Sequence, residues 1–506
     1  MRSSSRALLS SNALTAVMLM VGLVNNIAIA AIFGLTRRVD AFYAAAMLPN
    51  LFMVLCLDYL GKNFMPALAR AKKEGEWFAS ELTSSIVTII SIAAAGIAVL
   101  LALASPYVFG LLLPGFSSED VELVTRYFWI MAPSFVLMAA TVFNQHVCQY
   151  NERYVQITAI RSALPLANLA AIVLASPLIG EYALPVGHLL GHLVVFLLMA
   201  REAEYRHVWR ITIRREWEGR IFSNSAIVAG SGLLARVRPV IMNYFASLLG
   251  SGAIAAIALA SRLKEPLGRT IFTAVRMIMF SRTTRYAADG NSKQIARLYD
   301  LGLASSFLLL APLLWWIGLY SGVIVETVFV RGEFDRQMAA LVSLALLGTV
   351  PGIAFVGINA IVSNAFYAMD RIVVPAIVMP IGTVLYLAVA PYLSARYGVL
   401  GLTAGESLAS AAIFFVMVVL LRRQVPTFRA GKSVGSLLRY TAIAGLCLVA
   451  AKSTADALGI AGAAGAALSL GVGGALYLVA LGALRDPTLA FVGGYVRRAA
   501  PAARLQ

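Results

Sequence analysis

Fourteen apolar runs follow one another along this chain of 506 residues, and most are long enough to cross a bilayer. Their edges fall near 8–33, 41–69, 80–113, 123–148, 154–177, 182–200, 221–249, 253–281, 298–329, 338–368, 372–393, 398–421, 437–455 and 460–484. Backbone inside hydrocarbon must satisfy its own hydrogen bonds, so runs of this length predict helices and an all-α integral membrane protein. The longest polar connection is only Arg201 to Arg220, which leaves no room for a soluble domain. With 60% hydrophobic and 13% charged residues, lipid must be the solvent for most of the surface.

The net charge of +17 would suggest nucleic acid in a soluble protein. Here the cations fall in alternate loops between spans. One parity carries Arg70, Lys72 and Lys73; six arginines from Arg201 to Arg220; Arg282, Arg285, Lys293 and Arg297; and Arg422, Arg423, Arg429 and Lys432. The other parity is poorer in cations and includes the acidic turn Ser117-Ser118-Glu119-Asp120. Positive loops stay inside, so both termini are expected in the cytoplasm and no nucleic-acid partner is expected. The first run follows Arg2 and Arg6 and is read as a span, because it is long for a signal peptide. Cys56, Cys148 and Cys447 form no disulfide or metal pattern.

The chain also repeats itself. Pro133 and Pro351 each precede an acid–arginine pair, Glu152-Arg153 and Asp370-Arg371, at an offset of 218 positions. Similar offsets relate Gly34 to Gly250, Pro49 to Pro266 and Gly75 to Gly290. Duplicated hydrophobic halves point to a secondary transporter. An even number of spans per repeat predicts two parallel six-helix lobes, 1–205 and 206–432, around a cavity. Residues 433–506 then add two further spans and a tail. The glycines of the last span (Gly459, Gly462, Gly465, Gly471, Gly473, Gly474) read as small residues for close helix packing.

Charges within spans are costly and tend to face a cavity or one another. Asp58 and Lys62 lie one turn apart in the second run, and read equally as a cavity pair or as a self-neutralising ion pair. Arg236 and Arg238 are two apart, so they diverge on a helix. Arg262, Glu265, Arg269 and Arg276 recur at helical spacing around Pro266, with Lys264 alongside. Such a stripe should line water or meet an anion, and the planar arginine fork suits phosphate. Glu406 reads equally as a coupling-ion ligand or as the partner of an arginine such as Arg262; Asn359 is a second candidate oxygen. His188 and His192, one turn apart, lack the third ligand that a metal site needs. No Walker motif, glycine-rich nucleotide loop or catalytic triad signature occurs, so neither a cofactor nor an enzyme is expected.

These residues carry a resemblance. Ile32-Phe33-Gly34, Asp40-Ala41-Phe42-Tyr43 and Leu48-Pro49-Asn50-Leu51 resemble the first two helices of the MurJ/MviN lipid flippases. Asn243-Tyr244-Phe245-Ala246-Ser247, then Ser261-Arg262-Leu263 and Glu265-Pro266, are similar to the seventh and eighth. Pro114-Gly115-Phe116, Gly332-Glu333-Phe334 and Phe366-Tyr367 ahead of Asp370 match as well. The resemblance implies the fold of the multidrug/oligosaccharidyl-lipid/polysaccharide exporter superfamily, alternating access, and an undecaprenyl-diphosphate-linked saccharide as cargo. It implies that cavity cations hold the diphosphate. Arg262 matches the arginine of the eighth helix, and Asp40 the acid at the start of the second.

Three positions depart, since Leu19, Asn25 and Met53 stand where the family typically carries arginine. Ser261 replaces an acid. That half of the diphosphate site is therefore either missing or rebuilt with Lys62, Arg236 or Arg238. A lipid II-like cargo and an exopolysaccharide or O-antigen unit therefore both fit. Readings of another class are a cationic drug exporter and a non-transporting scaffold for envelope synthesis. A positive cavity favours the anionic cargo. The expected partners are the lipid-linked saccharide, membrane lipids of the bacterial inner membrane and, for the scaffold reading, envelope-synthesis proteins.

Overall fold

The computed structural model describes residues 2–55, 62–205, 207, 236–371 and 373–489. Nearly all of these are helical. The helices are α1 (Arg2–Phe33), α2 (Arg37–Leu55), α3 (Lys62–Glu74), α4 (Glu76–Leu112), α5 (Ser118–Met131), α6 (Ser134–Tyr150), α7 (Tyr154–Ile179) and α8 (Ala183–Glu202). They continue as α9 (Arg238–Ser247), α10 (Ala253–Ala288), α11 (Ser292–Phe329), α12 (Arg336–Ala368), α13 (Val373–Gln424), α14 (Ala430–Ala457) and α15 (Gly462–Ala483).

Among the described residues, eight helical stretches are long and apolar enough to cross a membrane, and the pair α5–α6, bent by 43°, makes a ninth. Two of the eight are doubled. α13 runs for 52 residues, about 78 Å of helix, more than twice the roughly 30 Å of a bilayer core. It breaks at Gly398, whose φ of 59° and ψ of −136° end one helix and start the next. The stretch Tyr154–Glu202 breaks in the same way at Gly180, with φ 56° and ψ −134°. The run expected at 123–148 as one straight span is instead two helices. The bend falls at Ala132 and Pro133, where the proline ring removes a backbone donor.

Gly180 and Gly398 lie 218 positions apart and share one backbone conformation, which extends the repeat to a pair that sequence comparison alone did not pick out. The pairs it did pick out also match in geometry. Glu152 and Asp370 have φ of 58° and 59°. Arg153 N–H then donates to Cys148 O at 2.9 Å, and Arg371 N–H to Phe366 O at 2.8 Å, so each helix ends in the same left-handed turn. Gly34 and Gly250, and Gly75 and Gly290, all have positive φ.

The chain forms two compact units. One comprises Met1–Arg262 with Arg331–Met338, the other Leu263–Val330 with Ala339–Gln506. In the first unit α7 packs along α8 and α1. In the second, α14 and α15 pack on α11. Trp315 donates to Thr441 O at 2.8 Å and Trp316 to Ala466 O at 2.7 Å. Tyr477, buried, donates to Leu308 O at 3.1 Å. Such bonds hold helices together where lipid offers no hydrophobic drive.

The glycines of the last span divide. A Cβ at Gly473 would stand 2.5 Å from Leu448 Cδ2, so that residue permits close packing. Gly459, Gly462, Gly471 and Gly474 have open space around them, and packing does not explain them. Outward-facing Leu103, Leu174, Leu178 and Leu446 are all more than 70% exposed, which in a membrane is a lipid-facing surface.

Candidate functional site

Arg262 lies on α10 in the first unit and is exposed. It is near enough to Tyr43 on α2 to act on the phenol electrostatically. The Tyr43 hydroxyl donates to Asn26 Oδ1 at 3.0 Å, and Asn26 Nδ2 donates to Gly22 O at 2.6 Å one turn back on α1. Asn25 beside it is buried, and its Oδ1 has no partner among the described residues. Arg262, Tyr43 and Asn26, from α10, α2 and α1, thus fall in one region. Leu19 and Met53 on the same two helices are half-buried and apolar. Arg236 is exposed, and Arg238 is half-buried with its Nε unpartnered among the described residues. Asp58 and the side chains of Lys62 and Arg269 lie outside the described residues.

In the second unit Lys264 Nζ reaches Glu406 Oε2 at 3.3 Å, joining α10 to α13. Sequence reasoning offered Glu406 an arginine such as Arg262. The structure gives it the lysine two positions on, a neighbour of the arginine stripe. Both side chains are only partly exposed, at 27% and 22%. Glu265 is half-buried. Asn359 on α12 is buried; its Nδ2 donates to Ser410 O at 2.8 Å, and its Oδ1 has no partner among the described residues. Ser407, one residue beyond Glu406, accepts from Gly352 N–H at 2.9 Å and donates to Gly348 O at 2.7 Å. That locks α13 to α12 beside the acid.

Asp40 has another role from that of a cavity charge. It is fully buried, and its two carboxylate oxygens accept from Gly252 N–H at 2.6 Å and Ala255 N–H at 2.8 Å. A carboxylate at these otherwise unpaired donors satisfies the helix end and favours its dipole. Asp40 is thus the cap of α10, supplied from α2.

This cap belongs to a seam within the first unit where most of the signature residues meet. Glu333 N–H donates to Ala31 O at 2.9 Å, and a Cβ at Gly332 would stand 2.2 Å from the same oxygen. Gly115 N–H donates to Ser247 Oγ at 3.2 Å, and a Cβ there would stand 2.0 Å from Ser247 O. Gly252 allows Leu35 O as close as 2.9 Å to the position its Cβ would take. Arg37 pairs with Asp120 at 3.4 Å and lies over the Phe116 ring at 4.6 Å. Glycines recur here because backbone meets backbone.

His188 and His192 lie with ring centroids 4.6 Å apart and planes tilted by 59°, and among the described residues no group of three metal-ligating side chains occurs.

The family described as Lipid II flippase MurJ matches residues 29–466. The chain belongs to this family. A member from Burkholderia cenocepacia, named Lipid II flippase MurJ, is 26% identical over 73% of this chain and 74% of its own length. A probable lipid II flippase MurJ from Bdellovibrio bacteriovorus is 25% identical over 86% of this chain and 85% of its own. A solved lipid II flippase MurJ in an inward closed conformation has a TM-score of 0.79 at 17% identity, covering 94% of this chain and 99% of that one. An inward-facing multidrug-resistance MATE transporter of the MOP superfamily has a TM-score of 0.68 at 15% identity, over 83% of this chain and 98% of its own. At such identities the two structures speak for the fold alone, a multi-span transporter fold common to MurJ proteins and MATE exporters.

Proposed function

We propose that this chain is a flippase for polyprenyl-diphosphate-linked saccharides, lipid II or a unit built like it. It works in the bacterial cytoplasmic membrane by alternating access, with both termini in the cytoplasm. The observation that carries this reading is Arg262: an exposed arginine on a membrane helix, within electrostatic reach of Tyr43, in a chain matched over 29–466 by a family of lipid II flippases. Moving a charged sugar head across roughly 30 Å of hydrocarbon requires fixed charge of opposite sign along its path. Arg262 supplies it for the diphosphate. The repeat-defined lobes, 1–205 and 206–432, rock about this region. The seam built on Asp40 closes the outer side while the head group loads from the cytoplasm.

The cargo need not be lipid II itself. Leu19, Asn25 and Met53 leave α1 and α2 neutral where the resemblance expects arginine, which favours a diphosphate held mainly from α10. An exopolysaccharide or O-antigen unit fits that weaker grip equally. Of the two candidate oxygens for a coupling ion, Asn359 Oδ1 is the better, because Glu406 is already neutralised by Lys264. A cationic drug would meet repulsion at Arg262.

Native mass spectrometry of the purified protein with lipid II, a second polyprenyl-diphosphate saccharide and an ethidium-like cation tests the reading. Retention of a lipid-linked saccharide, lost in Arg262→Ala, is expected. Selective retention of the cation with neither lipid would overturn it.

A further inference from the structure

Two helices of the second unit begin side by side. α11 starts at Ser292, capped by Asn291 Oδ1, which accepts from Gln294 N–H at 3.1 Å. α14 starts at Ala430, directly after Arg429. Thr427, in the connection that leads into α14, donates to Ser292 O at 3.3 Å and ties the two starts together. Between them opens a cleft of about 440 Å³ lined by Lys293, Arg297, Asp300, Thr427 and Arg429. Lys432 and Arg429 both act electrostatically on Asp300, and the Arg429 N–H donates to it.

The charges do not balance. Lys293, Arg297, Arg429 and Lys432 are exposed, and none forms a salt bridge among the described residues. One acid, Asp300, opposes four cations, and its Oδ1 has no hydrogen-bond partner among the described residues. Lys293 and Lys432 also occupy the first turns of their helices, where the helix dipole repels cations. A bound anion would relieve both: it would meet the cluster of ammonium and guanidinium groups at the positive dipole ends of two helices.

The position of the cleft selects among anions. The apolar runs 298–329 and 398–421 begin or end within a few residues of it, so it sits at the depth of lipid headgroups. Pro426 gives it an apolar lip. A basic pocket at the ends of membrane helices is a headgroup site, whereas a soluble anion needs no such location.

We propose that this cleft binds the phosphate of an anionic phospholipid such as phosphatidylglycerol, at a site separate from the cargo path. The inner leaflet as its source rests on the cytoplasmic orientation proposed above; the binding itself does not.

The test uses the full chain in phosphatidylcholine nanodiscs carrying a minor fraction of spin-labelled phosphatidylglycerol. The wild type should immobilise phosphatidylglycerol in preference to labelled phosphatidylcholine. Lys293→Gln, Arg297→Gln and Arg429→Gln should each weaken this about fivefold, and together abolish it. Asp300→Asn should strengthen it, a gain that misfolding cannot imitate. Equal immobilisation by wild type and the triple variant, or weaker binding in Asp300→Asn, would overturn the site. Displacement of the labelled lipid by millimolar inorganic phosphate would overturn the lipid as its ligand and leave a soluble anion in its place.

Discussion

Arg262 is the cation that the transport reading most depends on. If it grips a diphosphate, Arg262→Ala should abolish transport per folded molecule, and Arg262→Lys should restore only part because the two-pronged contact is lost. If it served only to hold the fold, the loss would appear in the amount of protein in the membrane, with transport per folded molecule unchanged. Lys264 and Glu406 make a contrasting pair. Lys264→Gln should lower stability by roughly 1–2 kcal/mol, between the values for exposed and buried ion pairs. The swapped pair Lys264→Glu with Glu406→Lys should recover most of that, measured as the melting temperature of the purified protein. Spacing alone could not choose Lys264 over Arg262 as the partner of Glu406. Both lie on one helix, and which of them meets α13 depends on how two helices pack rather than on spacing along one.

At the scale of elements, the seam and the repeated turns each make a prediction. Gly332→Ala and Gly115→Ala put a methyl group 2.2 Å and 2.0 Å from a backbone oxygen. Backbone cannot yield as a flexible side chain does, so each should cost about 1–3 kcal/mol and reduce transport more than Gly471→Ala, which meets open space. Asp40→Asn should weaken the α10 cap by roughly 1 kcal/mol, read as faster hydrogen exchange at Gly252 and Ala255. Gly180→Ala and Gly398→Ala, with nothing within 4 Å of either, should cost similar amounts of about 1–2 kcal/mol for the left-handed backbone alone. The apolar runs and matched landmarks such as Glu152 with Asp370 and Gly34 with Gly250 were legible from the chain because period and offset are linear properties. The seam was half legible. Asp40, Gly115, the nearby Ser247 and Gly252, and Gly332 come from four distant stretches of sequence, and all but Gly252 stood out as parts of separate motifs, but nothing in the order of residues says that they meet. Gly180 and Gly398 escaped notice because a lone glycine carries no neighbouring pattern to align.

For the whole molecule, the departures at Leu19, Asn25 and Met53 bear on which saccharide is carried. Expression in cells depleted of their own lipid II flippase should give partial rescue or none, scored as growth. Full rescue would mean that a cargo grip centred on α10 suffices for lipid II. The most direct measurement is translocation by the purified protein in proteoliposomes, with lipid II and with a second polyprenyl-diphosphate saccharide. It is read as the fraction of each that becomes accessible to a hydrolase added outside. The account predicts that at least one of the two is moved faster than in protein-free vesicles, and that Arg262→Ala, equally folded, moves neither. Movement of neither by the wild type, or equal movement by Arg262→Ala, would contradict it.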